Sequence, residues 1–215
     1  MKGWMERLWN RAKHWGAGGR SRAPVPDPTD LPDATPVLEA LGWTVETDEV
    51  GDRMASLSLG DRRVRVIYGY RSFPGHDVFE ASLSASTDPF STGCRTIHED
   101  ENAYAPLLVA DRGIAVRVAP DGDRHVRQAA DDAVSWARGI DLDAALSRLV
   151  HIPTTSPGAR PIWHLAALAV SGHTATLESY LSAFEAGDRL GFVPYITKGH
   201  VERALRHAVK SVDGP

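Results

Sequence analysis

The densest run of side chains able to do chemistry is Cys94-Arg95-Thr96-Ile97-His98-Glu99-Asp100-Glu101, with His76-Asp77 upstream. A cysteine four residues from a histidine could be held as a thiolate nucleophile. His76, His98 and Glu99 are candidate metal ligands, since imidazole and carboxylate together suit zinc and its neighbours. Either arrangement would make a metal- or thiol-dependent hydrolase. Neither is complete: nothing supplies a third group or oxyanion donors. The stretch reads as a loop, and an acidic, solvated loop with a small, semi-buried Cys94 is the commoner outcome for such a run.

Five further histidines, His151, His164, His173, His200 and His207, fall in the last third of the chain. His200 and His207 are seven apart and share a helical face, but no carboxylates stand at ligand spacing. Buried histidines satisfied by carbonyls are the simpler expectation. Arg63 and Arg65 give one predicted strand a basic outer face, and Tyr68 and Tyr70 fall on its opposite face. Nucleic-acid-binding sheets put stacking aromatics and cations on one surface, so this parity points to a solvated face or a contact with an acidic partner rather than to RNA.

Several chemistries lack their motif. There is no GxxxxGK[ST] or GxGxxG phosphate cradle, no GxSxG elbow and no HExxH. One cysteine excludes an internal disulfide framework and multi-cysteine metal sites. No cofactor is expected.

The elements that would carry these residues follow from periodicity. Thr35-Pro36 opens a short helix that Gly42 closes. Strands follow by alternation: one from Trp43 and Val45, one on Ala55, Leu57 and Leu59, one on Val64, Val66, Tyr68 and Tyr70, and one on Phe79, Ala81, Leu83 and Ala85. One wet and one buried face marks an antiparallel sheet. Gly51-Asp52 and Gly60-Asp61 fit tight hairpins, and Leu107–Ala110 with Ile114–Val118 predicts another around Asp111-Arg112-Gly113. A helix is expected from about Asp121 to Arg138. Then come helices capped by Asp141 and Thr197, an almost wholly apolar helix from Ile162 to Val170, and one striped with Leu177, Tyr180, Leu181 and Phe184. Ile196 and Val201 occupy staple positions. The fold class is therefore α+β: an antiparallel sheet covered by helices (residues 35–138), then C-terminal helical hairpins (139–215) that could share its core.

The N-terminus is different. Trp4, Met5, Leu8, Trp9 and Trp15 line one helical face of residues 1–15, with Arg7, Arg11 and Lys13 mostly off it. Tryptophans with cations suit a membrane interface or a protein groove. A Gly/Pro linker, residues 16–34, tethers this helix. Residues 1–23 hold six cations against Glu6 alone, whereas the remainder holds 18 basic and 27 acidic residues. An acidic body argues against nucleic acid and for a partner with a basic surface. No continuous apolar run makes a secretory signal, so the cytoplasm is expected, with the inner membrane surface as a contact for residues 1–15.

Two resemblances accompany this reading. The stretch Val37-Leu38-Glu39-Ala40-Leu41-Gly42-Trp43 and the meandering strands after it resemble, over residues 35–138, the type III secretion chaperone and YbjN-like domain group. That likeness implies a sheet and helices that hold another protein, and no catalytic residues. The stretch from Gly187 to Thr197, GDRLGFVPYIT, resembles the C-terminal signature of an uncharacterised bacterial family of unknown function and implies no activity. The expected function is a non-enzymatic bacterial protein-binding module, secretion-chaperone-like or toxin-immunity-like. The hydrolase and a peripheral membrane structural protein are the alternatives.

Overall fold

The computed structural model describes residues 32–48, 51–99, 104–120 and 122–212. The predicted Trp-rich helix, with Trp4, Met5, Arg7, Leu8, Trp9, Arg11, Lys13 and Trp15, lies outside the described residues, as does most of its linker.

The described chain opens with α1 (Thr35–Ala40), about a turn and a half. Thr35 is its first helical residue rather than its cap; Ala34 holds that place, and the Thr35 N–H donates to Asp33 Oδ1 at 3.1 Å. Four antiparallel strands follow: β1 (Thr44–Thr47), β2 (Arg53–Leu59), β3 (Arg62–Phe73) and β4 (His76–Ser86). Leu59 pairs with Arg62 across Gly60-Asp61, so that hairpin has the two-residue turn its glycine predicts. The β3–β4 hairpin turns at Pro74-Gly75 and pairs Phe73 with His76.

Helix α2 (Asp88–His98) occupies the stretch expected to be a loop. The Thr87 side chain accepts from the Phe90 N–H, a proline stands in the first turn, and Phe90, Cys94 and Ile97 recur at helical spacing. Their burial outweighs the charges on the other side.

The expected hairpin around Asp111-Arg112-Gly113 does not form. β5 (Leu108–Val109) and β6 (Ile114–Arg117) both pair antiparallel with β4, Leu108 opposite Ala85 and Ile114 opposite Ala81. They run in the same direction along one edge and are parted by a bulge. Gly113 is needed there, because a Cβ would sit 2.6 Å from the Ala81 carbonyl oxygen.

Helix α3 (Arg124–Gly139) returns over the sheet, and α4 (Leu142–Val150), α5 (Arg160–Val170), α6 (Thr174–Glu185) and α7 (Lys198–Val212) complete the described chain. The result is an α+β fold with two apolar cores. In one, Leu38 of α1 and Val126, Ala130 and Ala133 of α3 pack on Ala55, Val64, Val66, Phe79, Ala81 and Leu83. In the other, α5 is buried almost all round, against α2, α4, α6 and α7. Phe90, Cys94 and Ile97 of α2 belong to this second core. Trp136 borders both.

Candidate functional site

The two helices that pack on the sheet, α1 and α3, lie on one face only. The strand register fixes what the other face presents. Thr44, Ser56, Arg65, Ser84 and Val109 form one row across β1, β2, β3, β4 and β5, and Ser58, Arg63 and Ser86 form the next. Apart from the buried Ser86, these side chains are half-buried or exposed. An open depression of about 350 Å³ lies here, lined by Thr44, Glu46, Ser56, Ser58 and Arg63.

Arg65 is held by an aromatic ring on its own face. The Arg65 guanidinium lies over the Tyr104 ring, 4.2 Å from its centroid. The Tyr104 hydroxyl and Ser84 Oγ are 3.0 Å apart, and Ser84 Oγ donates to the Arg65 carbonyl at 3.4 Å. Burial pushes the Tyr104 phenol up to about 12, so it stays neutral and can donate. Arg65 Nε is buried and makes no hydrogen bond, and desolvation lowers its pKa. The carboxylate of Glu46 is 3.8 Å from Arg65 Nη2, beyond hydrogen-bonding distance. Arg63 pairs with Asp88 at 3.0 Å.

Tyr68 is buried beneath the opposite face, as its parity requires. Tyr104 is the addition: it puts one aromatic on the cation face, although Arg65 already covers one side of its ring. Nothing in its sequence neighbourhood marks it, because it stands between a charged run and a short, bulged strand.

The hydrolase candidates are not brought together. His76 sits at the tip of the β3–β4 hairpin, stacked on Phe73 at 5.2 Å. Roughly 30 Å of strand separates it from the start of α2, and that helix is only about 16 Å long. Cys94 is 6% exposed inside the helical core, and burial pushes its thiol far above the range in which a thiolate forms. It is therefore a packing residue. His98 and Glu99 do meet other groups, at the end of α2. Arg203 of α7 donates to the Ile97 carbonyl at 2.8 Å and lies 3.3 Å from Glu99. The His98 and His200 rings are 6.2 Å apart. Among the described residues no group of three or more His, Cys, Asp or Glu converges on one point.

Buried His164 behaves structurally. Its Nδ1–H donates to the Leu149 carbonyl at 2.9 Å, its Nε2 accepts from the Tyr180 hydroxyl at 3.1 Å, and desolvation lowers its pKa. The stretch from Gly187 to Thr197 is also scaffold. Arg189 donates to the carbonyls of Val193, Pro194 and Ile196, Tyr195 donates to the Gly158 carbonyl, and Phe192 plugs the core against Tyr180 and Phe184.

A family of unknown function, DUF6990, matches residues 31–209. The chain belongs to the DUF6990 family. The match contains both cores, the open face and the 187–197 stretch, which agrees with the expected membership of an uncharacterised family. No curated protein and no solved structure matches this DUF6990 chain, and no finding supports the resemblance to secretion chaperones. Among its described residues no helix is long and apolar enough to cross a membrane.

Proposed function

We propose that this DUF6990 protein is a non-enzymatic protein-binding module and that the open face of its sheet is the recognition surface. One observation carries the reading: with both apolar cores closed on other surfaces, the second face of the sheet stays largely open, and serines and two arginines predominate on it beside Met54, Ile67 and Val109. A solvated face needs no such arrangement; a recognition face benefits from side chains held in place before the partner arrives. Whether the role is chaperone-like or immunity-like depends on the client. The acidic excess of residues 24–215 favours a client of overall basic character, drawn in by the long-range field. Residues 1–15 would act as a tethered second contact, on the partner or on the inner membrane surface, from the cytoplasmic side.

The test is capture from the native host with four baits: the full chain, a version starting at Ala23, Ser82→Arg on the exposed open face, and Asp131→Arg on the exposed side of α3. Capture of one stoichiometric partner by the full chain and Asp131→Arg, reduced at least about tenfold by Ser82→Arg, supports the reading, since a rejected interface contact costs 1–2 kcal/mol or more. Equal capture by both variants sinks it. Loss only on removal of residues 1–22 makes the N-terminal segment the binder instead.

A further inference from the structure

We propose that the open face holds a carboxylate-binding notch, built on Arg63 and Arg65, that takes an acidic side chain of the protein partner. The inference deepens the binding reading above and rests on it.

Three independent features converge. The first is donor supply. Alternation along β3 puts Arg63 and Arg65 on the same face, two residues apart, and the register sets Ser56 beside Arg65 and Ser58 beside Arg63. Hydroxyl donors and the Arg63 guanidinium therefore crowd one edge of the depression lined by Thr44, Ser56, Ser58 and Arg63, with Glu46 also on its wall and Arg65 next to Arg63 on the same face. The second is an unmet demand. Arg65 Nε is buried without a hydrogen bond, and its one facing carboxylate, Glu46, stands 3.8 Å away. Nε itself is sealed from an incoming group, but the guanidinium as a whole is partly desolvated, and an acceptor reaching its Nη nitrogens, which Glu46 approaches only at 3.8 Å, would offset that cost. The third is preorganisation. The Tyr104 ring fixes the guanidinium plane from one side, and the Ser84 link holds the ring. A planar fork held this way suits a carboxylate better than a flexible lysine would.

The rim chooses among anions. Glu46 and Asp88 stand beside the two arginines. They repel a polyanion such as nucleic acid but tolerate one carboxylate placed between the cations. The aromatic at the site is also committed to Arg65, so it is not a free stacking platform. β1 is the outermost strand next to the notch, which leaves an edge along which an extended segment could align. The net acidic charge of the body and this local basic notch are compatible: the first acts at long range on the whole partner, the second at contact on one side chain.

The experiment is an amide NMR titration of the full-length protein at low salt. The probe is an end-capped Gly/Ser hexapeptide carrying a single glutamate; the same peptide with lysine in its place, inorganic phosphate and an oligothymidylate are the comparisons. The expected result is saturable shifts confined to Thr44, Ser56, Ser58, Arg63, Arg65 and Ser84 with the acidic peptide, and weaker effects from the other three. Removing one charged donor should weaken binding by about tenfold or more. Arg63→Gln is the primary variant because Arg63 is the more exposed of the two; Arg65→Gln is the second, accepted when its spectrum remains folded. No shifts up to about 10 mM peptide overturn the notch, since that limit corresponds to negligible contact energy. So do shifts elsewhere, shifts that survive Arg63→Gln, or tighter binding of phosphate or the oligothymidylate. The two readings fail differently. If partner capture is lost with Ser82→Arg but survives Arg63→Gln, the face binds and the notch is wrong. If capture survives Ser82→Arg, the face itself is wrong.

Discussion

In the helical half, the polar groups drawn deepest are matched: His164 has an acceptor and a donor, and Arg189 serves three carbonyls, while His98 Nδ1, at the end of α2, is buried without a hydrogen bond. In the sheet half, one face is sealed by α1 and α3 while the other keeps its serines and arginines at the surface, with Arg65 Nε unmatched. The first arrangement spends polar chemistry on holding shape. The second leaves it available. The same residue types thus carry different meanings, and the difference lies in whether a partner inside the chain already satisfies them.

The largest expected effect breaks the bundle. Phe90 is fully buried in the helical core, and Phe90→Ala should cost about 3–5 kcal/mol in chemical unfolding, because transfer and cavity terms add. Ser82→Ala on the exposed open face should change stability by less than about 0.5 kcal/mol. Cys94, four residues from Phe90, gives a second readout: its labelling by a thiol reagent should be slow in the parent and faster in Phe90→Ala. A Phe90→Ala penalty under about 1 kcal/mol would show that the bundle is not the tightly packed half.

Much of this contrast was legible in the sequence. Alternation along β3 and β4 assigned Val64, Val66, Phe79 and Leu83 to the core and Arg63 and Arg65 to the surface, because a strand's period of two leaves little freedom. The buried Ile162–Val170 helix and the Asp141 cap, whose Oδ1 accepts from the Ala144 N–H at 2.8 Å, were equally readable. Three features were not. Helix α2 ends in Arg95 and His98 and is followed by Glu99, so the run from Arg95 to Glu101 masked the Thr87 cap and the Phe90–Cys94–Ile97 stripe. Asp-Arg-Gly at 111–113 has turn chemistry, but its glycine serves a close approach to Ala81 instead. Tyr104 lay beyond local reasoning altogether, since its role depends on strands some twenty and forty residues away.

A smaller effect tests whether the 187–197 stretch is scaffold. Arg189→Lys keeps the charge but shortens the reach of the side chain, whose one terminal nitrogen, Nη2, gathers the Val193, Pro194 and Ile196 carbonyls. The expected cost is about 1–2 kcal/mol in thermal or chemical unfolding, with partner capture unchanged. Unchanged stability with capture lost would move the binding surface into the bundle and reverse the comparison.

The smallest effect is a pH dependence that should appear in the bundle before the sheet. His200 Nδ1 accepts from the Thr197 N–H at 3.2 Å and lies 2.8 Å from its hydroxyl, so the neutral ring closes the start of α7 as a glutamine would in a capping box. Desolvation, then Arg203 and His98, lower its pKa, with Glu99 acting in the opposite sense. Lys198, in the same first turn, adds no acceptor. Burial lowers His164 as well. The sign follows: each histidine binds its proton more readily unfolded, near pH 6.5, than folded. Stability is fully present above that value and is lost as pH falls through the lower folded pKa. Melting temperatures between pH 7.5 and 5 should therefore decline. His200→Gln, which keeps an acceptor for Thr197 without titrating, should flatten part of the decline and leave the His164 share. The gain at pH 5 should be at most about 1 kcal/mol, the usual scale of a helix cap. Amide signals of α2 and α7 should weaken before those of β3 and β4. If the sheet signals weaken first, or His200→Gln leaves the slope as steep as before, the cap is not what couples the bundle to pH.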